Sequence, residues 1–162
     1  MPDSAGRVHA NLIEVKPGHL VAFMRSRFAD NVYISESHDY GDSWTVPEKT
    51  VLPNNNTSIS AIKLQTGEIA LAYNVNATAN PEFGKVSWPG LRNPIAVSIT
   101  EDFGKTWPIG RVFEQAEGYI GAENKTNNLQ YEYPTLYQSK DGLLHLVYAY
   151  KIAYVSNMFA SH

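Results

Sequence analysis

The chain alternates apolar and polar residues over short segments and shows almost no 3.6-residue periodicity. Strict alternation is typical of strands with one buried face, whereas helices place apolar residues at three- and four-residue spacing. The pattern predicts strands at residues 9–15, 19–26, 31–37, 58–64, 68–74, 94–100, 135–139, 143–150 and 152–156. The sequence therefore predicts an all-β protein.

One hairpin pattern occurs three times along the chain. Each copy has an apolar strand, a turn with glycine and a second apolar strand, as in NLIEVKPGHLVAF, SAIKLQTGEIALAY and PTLYQSKDGLLHLVY. Repetition of one such unit indicates an architecture built from stacked supersecondary elements. Two long loops, 75–93 and 115–130, separate the second hairpin from the third. Loops of this length are uncommon in compact domains unless they are functional or disordered.

A second pattern, [ST]-x-D-x-G-x-[ST]-W, follows the third strand in the first two units. It reads SHDYGDSW at 37–44 and TEDFGKTW at 100–107, and we call these two segments the boxes. Asp and Ser or Thr side chains bond backbone amides in tight turns, and glycine permits a positive φ. We expect each box to form a self-bonded hairpin between the third and fourth strands of a sheet. Trp44 and Trp107 should pack against neighbouring sheets, because tryptophan offers a large apolar surface.

Small four-stranded sheets that repeat with one tryptophan each indicate the blades of a β-propeller. A closed propeller has four to eight blades, and this chain supplies about three. We predict one partial propeller over residues 7–156. Its blades are expected at about 7–56, 57–115 and 127–156, with tails at 1–6 and 157–162.

Composition narrows the possible partners. The 162 residues are 43% hydrophobic, carry a formal charge of −3 and include no cysteine. An apolar core is therefore expected, whereas disulfides and Cys-ligated metals are excluded. With no basic run and no apolar run near 18 residues, neither a nucleic-acid nor a membrane partner is expected. The N-terminal residues lack a signal-peptide pattern, and composition does not determine the compartment.

No cofactor or metal is expected from the sequence. His9, His19, His38 and His145 show no metal-ligand spacing. An alternative is Ca²⁺ binding by the aspartates of the boxes, although their length and carboxylate spacing differ from those of an EF-hand loop.

Several further motifs occur together with the boxes. They are LPNNN at 52–56, YEYP at 131–134 and HLVYAYK at 145–151. In this combination the sequence resembles the sialidase-like (neuraminidase) Asp-box, or BNR-repeat, propeller family over roughly residues 7–156 outside the long loops. The resemblance implies a six-bladed propeller with four-stranded antiparallel blades. Met1 corresponds to the midpoint of family members, so we expect the chain to be the C-terminal half.

The resemblance also implies a chemistry. Sialidases hydrolyse a terminal sialic acid, and three arginines hold its carboxylate because guanidinium groups bind carboxylates bidentately. Arg25 matches the second of these arginines, and Arg27 follows two residues later on the expected same strand face. Arg92, before the strand that leads to the second box, matches the third.

A tyrosine is the nucleophile in this family, with a glutamate as its base. Tyr133 is the best match for the nucleophile and Tyr131 the second. Glu132 lies between them and would face away from Tyr133 unless a bulge intervenes, because adjacent strand residues point to opposite faces. His9 occupies the place of the family's partner glutamate and would be an alternative base.

Four further polar residues are expected near the same mouth. Asn54, Asn55 and Asn56 form a rim turn whose amides suit sugar hydroxyls, although turn chemistry alone also explains them. Asp30 follows Arg27 in a loop between strands and would line the same mouth.

The resemblance implies a sialidase-like glycoside hydrolase that acts on terminal acidic sugars of glycans. The first arginine and the acid/base aspartate belong to the missing blades, so the chain is expected to be incomplete for catalysis, and its standing as an enzyme stays open. One alternative is a carbohydrate-binding or degenerate, non-catalytic propeller. Another is a polysaccharide lyase for uronate glycans that uses His9 and Tyr133. Exposed blade edges are expected to promote self-association.

Overall fold

The computed structural model describes residues 1–87, 92–114, 131–150 and 159–160, and these residues form three antiparallel sheets. Within these ranges there is no helix that could span a membrane. The first sheet has the order β1 (Arg7–Lys16), β2 (His19–Ser26), β3 (Asn31–Ser37) and β4 (Glu48–Pro53). The second has β5 (Ser60–Lys63), β6 (Ile69–Asn74), β7 (Ile95–Thr100) and β8 (Ile109–Glu114). The third has β9 (Tyr131–Gln138) next to β10 (Leu144–Tyr150), which pairs with β11 (Phe159–Ala160).

The structure confirms the predicted all-β class and eight of the predicted strands, with shifted ends. The sequence analysis expected a fourth strand in each blade but gave no residues for it. In the structure β4 and β8 are these fourth strands. The predicted strand at 152–156 lies outside the described residues. The proposed blade and tail boundaries stay predictions.

Two apolar layers join the three sheets. Alternate residues of β2, such as Val21 and Phe23, face alternate residues of β6, such as Ile69 and Leu71, in the layer between the first and second sheets. The opposite face of β6 and β7 packs against β9 and β10 in a second layer. Every residue of β6 is therefore buried, which explains why its sequence, IALAYN, is apolar nearly throughout.

Each box closes on itself by hydrogen bonds, as predicted. In the first box the Ser37 hydroxyl donates to Asp39 Oδ1 (2.7 Å), which also accepts the Ser43 amide (2.9 Å). The Trp44 indole donates to the Gly41 carbonyl (2.9 Å). The second box repeats these bonds through Thr100, Asp102, Thr106, Trp107 and Gly104.

The two tryptophans pack differently. The Trp107 ring lies 5.8 Å from the ring of Phe23 in the first sheet, so it joins two blades as predicted. Trp44 packs instead on Ala22, Met24 and Tyr33 of its own sheet. Trp44 was expected to contact another sheet, but within the described residues it does not. Its side chain covers the face of the first sheet that points away from the second.

The first strands of the three sheets, β1, β5 and β9, lie side by side. Polar side chains join them: Asn11 Oδ1 accepts the Ala61 amide (3.1 Å), and the Ser60 hydroxyl accepts the Leu136 amide (3.1 Å). In each antiparallel hairpin the start of the first strand lies beside the end of the second. We call this common edge the site end, because it carries the predicted site residues.

Candidate functional site

Four predicted residues form one cluster at the site end. Arg25 lies on β2, Arg92 precedes β7 and Tyr133 is on β9, so three sheets contribute. Burial lowers the pKa of Arg25, and the positive charges of Arg92 and Arg27 lower it further, whereas Tyr133 opposes this change. The side chains of this cluster are thus close enough to interact electrostatically. A cluster with three guanidinium groups strongly favours an anion.

Arg25 is held by the backbone of the asparagine turn between β4 and β5. Its Nη1 donates to the backbone carbonyl of Asn56 (3.3 Å), and the side chain is half-buried. Its Nε is buried and has no hydrogen-bond partner among the described residues. A half-buried guanidinium offers further N–H donors to a ligand, and its planar fork suits a carboxylate.

Arg92 is held through both its side chain and its backbone. Its Nη1 lies 3.0 Å from Glu132 Oε1, and the two side chains are only 19% and 24% exposed. Its carbonyl accepts the Tyr131 amide (3.0 Å) and Asn74 Nδ2 (2.7 Å). Asn74 Nδ2 also donates to the Tyr131 carbonyl (3.2 Å). Sequence reasoning missed Asn74, although a polar residue at the end of the apolar run IALAYN was a signal.

A bulge at the start of β9 presents Tyr133. Glu132 pairs with Ala149 and Thr135 with Val147, so β9 has one extra residue at this point. Tyr133 has φ 51 and is 65% exposed. The sequence analysis expected Glu132 to face away from Tyr133 unless a bulge intervened. The bulge is present, so the alternation of strand faces no longer excludes Glu132 as a partner of Tyr133. However, the structure pairs Glu132 with Arg92.

The two candidate tyrosines differ in exposure. Tyr131 is only 4% exposed, and its ring lies edge-on to Tyr148, 5.6 Å away, in the layer between the second and third sheets. A substrate in solvent cannot meet that ring without unpacking the layer. Tyr133 is therefore the better placed of the two.

His9 occupies the position in β1 that Tyr133 occupies in β9. Each lies nine residues before the glycine of its hairpin turn. His9 also has a positive φ, 54°, and a register shift between Val8 and Asn11. His9 is exposed, so the two bulges present chemically active side chains at the same edge of different blades.

Arg27 lies one residue beyond the end of β2, rather than on the strand as expected. It is exposed, and its carbonyl accepts the Ser87 amide (2.8 Å). The Ser87 carbonyl accepts Asn56 Nδ2 (2.8 Å). The described part of the predicted 75–93 loop therefore lies against the arginine cluster.

The expected sugar contacts of the asparagine turn need correction. Asn54, Asn55 and Asn56 are 0%, 4% and 4% exposed. Asn54 Oδ1 accepts the amides of Ser26 (3.2 Å) and Asn56 (3.0 Å), and the Asn55 side chain accepts the Thr57 hydroxyl (2.8 Å). Asn54 and Asn55 therefore stabilise the turn, and the buried side chains of all three asparagines are not placed to reach a sugar.

Asp30 also does not line the mouth, because it is 7% exposed and bound from two sides. Its Oδ2 accepts the Tyr33 hydroxyl (2.7 Å) and lies 3.0 Å from Lys49 Nζ. Burial raises the pKa of Asp30, but hydrogen bonds from Ser26, Tyr33 and Lys49 outweigh it and lower the pKa to about 2. Asp30 is therefore an internal anchor of the β2–β3 connection.

The repeated four-stranded antiparallel sheets are those of a β-propeller domain, and the predicted arginines lie at one edge of it. The model of the BNR repeat-like domain matches residues 1–146, and the chain belongs to that family. None of the curated proteins compared with the chain matches it significantly.

Solved structures show the same fold. The Hadza microbial sialidase Hz136 is 18% identical with a TM-score of 0.66, and the match covers 96% of this chain and 27% of that protein. The NanB sialidase of Streptococcus pneumoniae is 14% identical with a TM-score of 0.65, over 93% of this chain and 22% of its own. A Dyadobacter fermentans protein of unknown function is 20% identical with a TM-score of 0.62, and the match covers 94% of this chain and 36% of that protein. The chain thus spans about a quarter of the length of these sialidases.

Proposed function

We propose that this chain provides the acidic-sugar site of a sialidase-like, glycan-processing propeller. The observation that supports it most is the cluster of Arg25, Arg92 and Tyr133, which three different sheets bring to one edge. Both arginines are partly exposed: the Arg92 side chain is 19% exposed, and Arg25 is half-buried. The carboxylate of a terminal sialic acid would accept from the accessible nitrogens of their guanidinium groups.

The chemistry of the cluster favours a carboxylate over a neutral sugar. A hydrogen bond to a charged group contributes roughly 1.5–3 kcal/mol, more than one between neutral groups. Two guanidinium groups would hold both carboxylate oxygens and orient the sugar ring. The solved NanB structure contains an ethanesulfonate compound, which carries an anionic group. That finding concerns NanB, and it shows that one protein of this fold binds an anionic compound.

Catalytic roles belong to the same proposal. Tyr133 would attack the anomeric carbon, and Glu132 or His9 would take its proton. The first arginine and the acid/base aspartate of the family would have to come from blades outside this chain. We therefore propose that the chain alone binds acidic sugars without rapid hydrolysis.

A non-catalytic, carbohydrate-binding role is the second candidate. It is favoured by the pairing of Glu132 with Arg92 at 3.0 Å, since a carboxylate engaged by an arginine is a weaker base. A hydrolysis assay with a fluorogenic sialoside separates the two candidates when it is run on a complete propeller that contains this chain. Release of the fluorophore that Tyr133→Phe abolishes supports catalysis, whereas binding without release supports the second candidate.

The site itself is tested by titrating N-acetylneuraminic acid and its neutral methyl ester into the chain, followed by NMR. We expect the acid to bind and the ester to bind at least about tenfold more weakly, which corresponds to one lost charge-assisted contact. Arg92→Gln should weaken acid binding to the same extent. Arg111→Gln is the matched control, because Arg111 is exposed on β8, where its guanidinium lies 5.2 Å from the Phe113 ring.

Arg25→Lys adds a test that preserves the charge. Lysine cannot reproduce the planar fork, so affinity for the acid should fall although the charge remains. Equal affinity for acid and ester, or unchanged affinity in both Arg92→Gln and Arg25→Lys, would overturn the proposal.

A further inference from the structure

A second group of reactive side chains lies at the opposite end of the first sheet. It consists of His19, Glu36 and His38, and we call it the His–Glu–His cluster. His19 begins β2, Glu36 lies near the end of β3, and His38 follows that strand at the first box. His19 and Arg25 are six residues apart on one strand, so the cluster is roughly 20 Å from the arginine site at about 3.3 Å per residue.

The three ligand atoms are close together. His19 Nε2 lies 2.6 Å from Glu36 Oε2, and His38 Nε2 lies 4.0 Å from the same oxygen. The two imidazole rings are 4.2 Å apart, and all three potential ligand atoms lie within 4.8 Å of one another. A tetrahedral ion with bonds of about 2.0–2.1 Å to nitrogen needs its ligands slightly more than 3 Å apart. Small side-chain rotations would satisfy that requirement.

The surroundings of the cluster are partly shielded and still accessible. The side chains of His19, Glu36 and His38 are 15%, 23% and 67% exposed. The Phe103 ring, from the second box, packs nearly perpendicular to the His19 ring on one side, with 5.4 Å between the ring centres. Lys16 Nζ lies 5.8 Å from the centre of the same Phe103 ring. An ion would therefore reach the cluster from solvent on the His38 side.

The ligand types select the ion. Two neutral imidazoles and a carboxylate suit Zn²⁺, whereas Ca²⁺ and Mg²⁺ prefer oxygen ligands. Asp39, the neighbouring box carboxylate, already accepts hydrogen bonds from Ser37 and Ser43. Water would therefore take the fourth position.

The geometry points to a Zn²⁺ site at the His–Glu–His cluster, separate from the sugar site. The bound ion would fasten the start of β2 to the end of β3 and to the first box. The inference is independent of the proposed function, because the arginine cluster shares no residue with it.

Isothermal titration of the metal-free chain with ZnCl₂ tests the site. We expect one ion per chain, and His38→Ala should weaken binding at least about tenfold, since loss of a ligand costs more than loss of an outer-shell partner. His145→Ala is the matched control, because its imidazole lies near Ser139 in the third sheet (3.0 Å) and outside the cluster. It should bind Zn²⁺ like the original chain.

Thermal melting separates a metal site from a plain ion pair. His38 is mostly exposed, so His38→Ala should melt at the original temperature without metal and lose the rise in Tm that Zn²⁺ gives the original chain. Co²⁺ substitution adds a spectroscopic readout, a visible absorption band of a tetrahedral site. Absence of one-to-one binding, or equal binding by His38→Ala and the original chain, would overturn the inference.

Discussion

Replacing Gly104 by alanine should destabilise the protein far more than the same change at Gly41. Both glycines hold the same position in the two boxes, and their φ angles are nearly equal, +101° and +99°. They differ in what an added Cβ would meet. At Gly104 it would lie 2.8 Å from both Ile34 Cδ1 and Phe23 Cε1, whereas at Gly41 its nearest neighbour is Leu20 Cδ1 at 3.4 Å.

The magnitude follows from these two contributions. A non-glycine residue with a positive φ costs about 1–2 kcal/mol, and both variants bear this cost. Overpacking a filled core costs about 1–3 kcal/mol more, and it applies only at Gly104. Phe23 is fully buried and lies in contact with Trp107, so it cannot move aside easily. We therefore expect Gly104→Ala to lose about 1–3 kcal/mol more stability than Gly41→Ala.

Urea unfolding followed by tryptophan fluorescence measures this difference through the midpoint and slope. Equal free-energy losses in the two variants would refute the claim that the second box packs tightly against the first sheet. Unequal slopes would show instead that the substitution changed the unfolded or the native ensemble. Hydrogen exchange of the two sheets would then show whether the native ensemble had changed.

Three further predictions concern buried polar groups and the site. Asn74→Ala should lower the free energy of unfolding by about 2–3 kcal/mol, because two buried carbonyls lose a hydrogen-bond donor. Urea unfolding measures this loss. A loss as small as that of Asn80→Ala, at an exposed position, would contradict the prediction. The pKa of Asp102 is lowered to about 2, since hydrogen bonds from Thr106 and Thr100 outweigh burial, which raises it. The ionised Asp102 therefore contributes stability above about pH 4, and this contribution is lost as the pH falls toward 2. Between these pH values Asp102→Asn should lose less stability than the original chain. Identical pH profiles of the two proteins would refute this. Tyr133→Phe should bind N-acetylneuraminic acid within about twofold of the original chain, because the arginines hold the carboxylate; a tenfold loss by NMR titration would assign the phenol to binding.

The central strands were the easiest to predict from the sequence. Every residue of β6 and five of the eight residues of β2 are buried, and both strands have clear hydrophobic runs. The outer strands β4 and β8 carry exposed apolar residues, such as Val51 at 73% and Ile109 at 51%. An edge strand with little burial leaves a weak periodic signal, so these two strands could not be located from the pattern.

The candidate site was only partly predictable. The arginines and Tyr133 follow from the family resemblance, but the bulges that present His9 and Tyr133 depend on strand register, which local sequence does not encode. The turn at Asn54–Asn56 was expected near a ligand because asparagine side chains suit both turns and sugar hydroxyls. Burial decides between the two, and it is a tertiary property.

The His–Glu–His cluster shows the same limit. His19 and Glu36 are 17 positions apart in the chain, and the pairing of β2 with β3 brings them together. A search for short ligand motifs therefore misses them. His38 was compared only with the other histidines along the sequence, whereas the pairing of β2 with β3 brings it close to His19 and Glu36.

The most direct test of the account is a crystal structure of this chain with N-acetylneuraminic acid. The account predicts the sugar carboxylate at the site end, with its oxygens about 3 Å from guanidinium nitrogens of Arg25 and Arg92. The exposed Tyr133 hydroxyl should face the anomeric carbon. A sugar bound elsewhere, or with its carboxylate turned away from both arginines, would contradict the assignment of this edge as an acidic-sugar site.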